Sequence, residues 1–351
     1  FQAMLVETTR LLSRGFRTGF NLTRNAYKAA VVDNYGQIEV REMKSHPPRE
    51  DEILIEVESA GVNPADMQMI NGKYHLKPQL PFVPGFELAG NVKAVGKKVE
   101  KWKENDRVVV LKTGGTGAFA EECIVDTNTD IVVPLPFSIE YETAAAVTTS
   151  YGTAYLALQK MAKEKAGANV LVLSSRGMIA FAAIDLAHNV FKAHVMAAAD
   201  DEDKLDKLRE TGVLRTINYA KEKMINVVHS STMGHGVDVA LDTVGGKTFI
   251  DALQCVRPGG TLFSLGFASG EIPSISLLDL HRSQASVSGI WLGGHQSEEV
   301  EKIIEMLLGL FSEQFLQPRI EAKYSLKDIS QCIKDINDNK VFGKVLINPK
   351  D

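Results

Sequence analysis

The sequence contains no apolar run approaching the roughly 20 residues that a membrane-spanning helix requires. It has no CxxC pair, and its three cysteines, Cys123, Cys255 and Cys332, stand far apart. Neither a disulfide framework nor a thiolate zinc knot is therefore predicted, and a reduced, intracellular setting is expected. None of the eight histidines stands beside another at ligand spacing, so no metal centre is predicted. The net charge of −5 supplies no general attraction for nucleic acid, and no basic patch is interleaved with aromatics. No internal repeat or low-complexity segment occurs. What remains is an ordinary globular composition: 351 residues, 44% of them hydrophobic, enough for roughly two domains.

The first 25 residues differ from the rest. Arg10, Arg14, Arg17 and Arg24 stand against one acid, Glu7, with Leu and Phe between them. Basic, hydroxyl-rich and acid-poor is the composition of a mitochondrial presequence, which acts as an amphipathic helix. Residues 1–25 are expected to be such a presequence or an N-terminal arm. The expected location is the mitochondrial matrix, with the cytoplasm as the alternative.

From Ala26 to about residue 135 the pattern is β-rich. Short apolar or alternating segments (YKAAVVDN, ILIEVESAGV, ELAGNVKAVG, DRVVVLK, FAEECIVD, DIVVPLP) are separated by Gly, Pro and Asn turns, as in a barrel-like domain. An Ala-rich helix, TAAAVTTSYGTAYLALQKMA, then leads into strands alternating with helices: NVLVL, AHVMAAA, RTINY, VDVALDTVG, GGTLFSLGF and SVSGIWL. That alternation predicts an α/β, doubly wound parallel sheet. The tail mixes a long amphipathic helix, EEVEKIIEMLLGLF, with a last strand, KVLINP.

The turn after NVLVL reads SSRGMIA. In a dinucleotide turn, small residues permit the bend, the close approach of backbone to pyrophosphate, and the packing of helix on strand. Ser174, Gly177 and Ala180 stand at spacings of three and can serve those roles. The free N–H groups of Met178 and Ile179 would face phosphate at the helix N-terminus, and Arg176 can add charge there. Asp200, twenty residues beyond Ala180, stands at the end of AHVMAAA, where a side chain meets the adenosine ribose. The reading is a nucleotide site; the alternative is an ordinary strand–turn–helix.

Further segments carry a family resemblance. AGVNPADMQMINGKY, LPFVPGFELAGNVKAVG, NDRVVV, GAFAE, SYGTAYLAL, DTVGG, RPGGTLFSLG and GKVLINP occur in order over residues 27–349. Together they resemble the medium-chain dehydrogenase/reductase superfamily, and most of all its zinc-free quinone oxidoreductase branch. The resemblance implies a GroES-like domain of residues 26–147 and 291–351 around a Rossmann domain of residues 148–290. It also implies a homodimer or homotetramer acting on a small-molecule electrophilic acceptor. Zinc-dependent relatives place Cys where Asn63 stands and His where Phe86 stands. Asn is a poor zinc ligand and Phe none, so the expected chemistry uses no zinc and suits an activated acceptor, a quinone or an α,β-unsaturated carbonyl.

By the same resemblance, Tyr74 is a candidate proton donor and Asn63 a holder of the nicotinamide ribose or acceptor oxygen; without it, Tyr74 reads as a packed loop aromatic and Asn63 as a turn former before Pro64. Val244, Gly245 and Gly246, Gly266 and Phe267, and Trp291 match segments that line the nicotinamide. Lys344 matches a family lysine that reaches the cofactor, and Thr149 and Tyr151 would sit where the domains meet. Lys204 and Tyr219 match residues that bind a 2′-phosphate, which favours NADP(H). Asp200 and Asp201 replace small residues beside them and favour NAD(H), the alternative. Met178 and Arg176 depart from the usual turn. That departure keeps open a non-catalytic relative serving as a binding or scaffold protein, while Tyr74 and the presequence suggest a mitochondrial enoyl-thioester reductase as a further alternative.

Overall fold

The computed structural model describes residues 26–160, 167–174 and 177–351. The presequence expectation and the role of Arg176 lie outside the described residues.

Strands β1 (Ala26–Val31) and β2 (Glu39–Lys44) pair antiparallel at the start of the first domain. Next come β3 (Glu52–Val62), helix α1 (Pro64–Ile70), and strands β4 (Glu87–Val95), β5 (Arg107–Leu111), β6 (Glu122–Asp126) and β7 (Ile131–Pro134). These strands are rich in Val and Ile, whose branched side chains fit a half-buried pleated surface. Their inward residues, including Ile53, Ile55, Leu88 and Val110, form one core with Phe82, Phe86 and Phe119.

Helix α2 (Tyr141–Leu158) joins the two domains. Its small residues, Ala144 to Ala146 among them, are fully buried, so the helix lies close against β3, β4 and β5 on one side. On the other it packs on α3 (Met178–Asp185). The boundary expected between residues 147 and 148 falls inside this helix. Gly61 permits the close approach: a Cβ there would stand 2.4 Å from the Ala145 carbonyl oxygen.

The second domain runs β8 (Asn169–Leu173), α3, β9 (His194–Ala199), α4 (Glu202–Arg209), β10 (Arg215–Asn218), α5 (Met224–Ser231), β11 (Val237–Asp242), α6 (Gly246–Leu253), β12 (Val256–Ser264), α7 (Leu277–Ser283) and β13 (Ser286–Gly289). All its strands are parallel, in the order β10-β9-β8-β11-β12-β13. The order reverses between β8 and β11, and in such sheets ligands bind at that crevice, beyond the carboxyl ends of the strands.

The chain then returns to the first domain through α8 (Ser297–Ser312), β14 (Ile320–Ser325), α9 (Ile329–Asn337) and β15 (Lys344–Asn348). β15 inserts between β14 and β3, giving a seven-stranded sheet ordered β14-β15-β3-β4-β5-β7, with β6 on β3. β2, β14 and α9 were not anticipated from the sequence.

Candidate active site

The two domains meet where the turn into α3 faces the start of α1. A Cβ on Gly177 would stand 3.5 Å from the Pro64 ring, in ordinary contact. Gly177 has φ −81°, which any residue adopts, so what it supplies is bare backbone facing that junction. It is the N-cap of α3 and brings no side-chain cap. The first N–H groups of a helix have no partner within it, and with the helix dipole they form a site for an anion.

Beside this junction lies a buried polar cluster drawn from four elements. Asn63, in extended backbone ahead of α1, donates from Nδ2 to Glu87 Oε1 at 2.6 Å, and its Oδ1 accepts from Lys344 Nζ at 2.9 Å. Lys344 also pairs directly with Glu87 Oε1. The backbone N–H of Thr149 in α2 donates to Glu87 Oε2 at 2.7 Å. Lys344 is 1% exposed and Glu87 0%. Charges so buried persist only when paired and hydrogen-bonded, and here each has several partners.

Two atoms near this cluster have no hydrogen-bond partner among the described residues: Thr149 Oγ1 and Asp66 Oδ1, both buried. Buried polar atoms are nearly always satisfied, so Thr149 Oγ1 is left with unused hydrogen-bonding capacity beside this cluster. Asp66 accepts the Asn63 backbone N–H at Oδ2, 2.7 Å away. Burial pushes its carboxyl up to about 8, against the lowering effect of the Asn63 N–H and of Lys344, so it carries a proton at neutral pH.

Tyr74 stands in a row of rings over the same region. Its centroid lies 4.2 Å from His75 and 5.5 Å from Phe86, and His75 stacks edge-on against Trp291 at 4.8 Å. The row joins the first domain to the segment after β13. Burial pushes the Tyr74 phenol up, the Trp291 indole opposes this, and the charge of Asp66 adds to it. The phenol is thereby kept protonated and able to donate.

At the carboxyl end of β11, Asp242 folds the DTVGG loop: its carboxylate accepts from the Val244 N–H at 3.1 Å and the Gly245 N–H at 2.8 Å. Gly245 has φ +79°, a conformation that L side chains rarely adopt. Thr243 donates from Oγ1 to the Leu173 carbonyl at 2.9 Å, tying β11 to the end of β8. Phe267 packs beside Gly245, and a Cβ on Gly266 would lie 3.5 Å from the Thr243 carbonyl.

The sequence-predicted residues thus fall into groups. Ser174, Gly177, Met178, Ile179 and Ala180 lie at the end of β8 and the start of α3, with Ser174, Met178 and Ala180 buried. Val244, Gly266 and Phe267 lie beyond β11 and β12. Asn63, Thr149 and Lys344 share the buried cluster, and Tyr74 and Trp291 share the row of rings. Asp200, Lys204 and Tyr219 gather beyond β9 and β10. Tyr151 is fully buried and donates to Asp185 Oδ2 at 2.6 Å, placing it in the packed interface and away from the cleft mouth. Sequence reasoning missed Glu87, Asp66, Asp242 and Thr243. The N-x-x-D spacing of Asn63 and Asp66 is a helix-start signal that would have drawn attention to Asp66.

The donor set does not fit zinc. Asn63 Oδ1 already accepts an ammonium, and the Phe86 ring packs on Tyr74. Among the described residues no group of three or more His, Cys, Asp and Glu is placed to hold a metal ion. A dinucleotide does fit: Gly177 brings no side chain where the turn meets Pro64, and α3 begins at the switch point of the sheet.

Known proteins agree with this architecture. Residues 49–137 match the alcohol dehydrogenase GroES-like domain family, and residues 179–309 the zinc-binding dehydrogenase family. A quinone oxidoreductase-like protein 2 homolog from Nematostella vectensis is 36% identical, over 93% of this chain and 90% of the relative. The chain belongs to the medium-chain dehydrogenase/reductase superfamily, in its quinone oxidoreductase-like branch. This medium-chain reductase superposes on the quinone oxidoreductase of Escherichia coli, solved in complex with NADPH, with a TM-score of 0.83 and 25% identity, covering 92% of this chain and all of that one. The quinone oxidoreductase of Pseudomonas syringae pv. tomato gives 0.84 and 25% over the same shares. Like its branch, the chain is an oxidoreductase with a GroES-like and a Rossmann domain.

Proposed function

We propose that this medium-chain reductase transfers hydride from a reduced nicotinamide dinucleotide to a quinone or an α,β-unsaturated carbonyl, without zinc. The observation that carries the proposal is Tyr74. It is a half-buried, protonated phenol held between Phe86 and His75, beside a cluster where Asn63 and Phe86 replace zinc ligands. The dinucleotide supplies the hydride. Tyr74 then gives its phenolic proton to the reduced acceptor and regains one from solvent, so the acceptor gains two electrons and two hydrogens. The aromatic row of Tyr74, Phe86 and Trp291 suits a flat, conjugated acceptor. Gly177 and the start of α3 would hold the pyrophosphate, and the unpartnered Thr149 hydroxyl would be a hydrogen-bonding group for the dinucleotide.

The likeness to the Escherichia coli enzyme, solved in complex with NADPH, supports a nicotinamide dinucleotide as the cofactor. The composition of residues 5–25 supports mitochondrial import, and the branch supports a homodimer or homotetramer; organelle import assays and light scattering test these two. For the chemistry, consumption of the reduced cofactor is followed with quinones and enals in the wild type and in Tyr74→Phe. Turnover should fall ~10²–10⁴-fold on loss of a positioned proton donor, with cofactor binding unchanged. Unaltered turnover would remove Tyr74 from the reaction.

A further inference from the structure

Beyond β9, the lysine expected to meet a 2′-phosphate is held by acidic side chains. Lys204, in the first turn of α4, is the cation that would meet such a phosphate, yet its side chain is only 8% exposed. Its ammonium pairs with Asp200 Oδ1 and lies 3.4 Å from Asp201 Oδ2. Asp201 also accepts the Lys204 backbone N–H at 2.9 Å, so the lysine is pinned at both ends. Two nearby cations are engaged as well. Lys221 lies 3.0 Å from Glu202, while Arg209 pairs with Asp206 and lies 3.5 Å from Glu202. Tyr219, the other expected phosphate ligand, has its phenol pushed up by burial and then by Asp200, Asp242 and Asp201, so three carboxylates bear on that hydroxyl.

We propose that Asp200 and Asp201, by holding Lys204, make this chain select NADH over NADPH. The inference rests on the dinucleotide reading of the cleft. Asp200 follows the last residue of β9, the second strand of the Rossmann unit, where an acid hydrogen-bonds the hydroxyls of an unphosphorylated ribose. Half of its side chain is exposed and available to them. A 2′-phosphate would instead bring two negative charges against Asp200 and Asp201, and could reach Lys204 only by displacing them.

The test is titration of the purified protein with NADH and with NADPH, following the fluorescence of the reduced cofactor, in the wild type and in Asp200→Ser. NADH should bind the wild type at least ~10-fold more tightly, a difference of one decade in Kd. In Asp200→Ser, NADPH binding should strengthen and NADH binding weaken, narrowing or inverting that ratio. Wild-type protein that binds NADPH as well as NADH overturns the inference and leaves the reductase reading standing; so does a ratio unmoved by Asp200→Ser. If neither dinucleotide binds, both fall. Should Asp200→Ser fail to fold, the wild-type ratio alone decides whether the inference stands.

Discussion

Replacing Lys344 by Met keeps most of the length of the side chain and removes its charge. The ammonium is 1% exposed and bonds to Glu87 and Asn63, so the substitution strands a carboxylate that is itself fully buried. Removing one partner of a buried pair costs about 3–5 kcal/mol. Glu87 keeps the Asn63 amide and the Thr149 N–H, two of its hydrogen bonds, which places the expected loss near the lower figure. At roughly 2–4 °C per kcal/mol for a domain of this size, the melting temperature should drop by roughly 6–12 °C. Glu87→Gln should also destabilise, by stranding the lysine, and the double variant Lys344→Met/Glu87→Gln should be more stable than the sum of the singles by at least ~1 kcal/mol. Thermal and urea unfolding of the four proteins reads this directly. A Lys344→Met loss below ~1 kcal/mol, the range of an exposed pair, or singles that simply add, would refute the view that these two charges are held by one another.

Other consequences are open to measurement. The Asp66 carboxyl titrates near 8 in the folded chain against 3.8 for the free group, so the folded state binds this proton more tightly. Its stabilising contribution is complete below the free value and fades as pH rises through about 8. Asp66→Asn should flatten the fall in stability between pH 3.8 and about 8; a fall as steep in the variant would be the contrary result. Gly177→Ala should fold with a stability change within about 1 kcal/mol, since its Cβ meets only Pro64 at ordinary contact. It should nonetheless weaken dinucleotide binding, and equal affinity in a titration would show that the backbone there does not approach the cofactor. Burial pushes the thiols of Cys123, Cys255 and Cys332 up to about 11, 12 and 12. All three should resist a thiol reagent until the protein unfolds, and rapid modification of the native protein would contradict their packing.

Much of the fold was written locally. Val- and Ile-rich strands and the Ala-rich α2 announce themselves because each must bury a face. β2 and β14 do not: EVREMK and IEAKYS carry charges on edge strands with few apolar residues to mark them. The site divides the same way. Asn63 and Phe86 could be read because they stand where other residues would bind zinc. Glu87, one position from Phe86, stayed hidden because its partner Lys344 is 257 residues away. Read alone, a lysine beside a strand suggests solvent, and only the insertion of β15 next to β3 turns it into a buried counter-ion. Lys204 was hard to judge for the opposite reason. Its acidic neighbours were plain in the sequence, but whether they faced it depended on how α4 begins.

The place of β15 in the sheet has a consequence for biosynthesis. Strands β3 to β7 leave the ribosome well before residue 344, yet their sheet lacks the strand that joins β14 to β3, and Glu87 lacks its cation, until that residue has emerged. The Rossmann domain, contiguous in sequence, can fold while translation continues; the domain on either side of it must wait. A chain broken off anywhere before β15 would carry an unpaired strand edge on β3 and a stranded buried charge, the kind of product that quality control removes. Only a chain read through β15 can therefore pair the end of β3 and supply the cation that Glu87 holds.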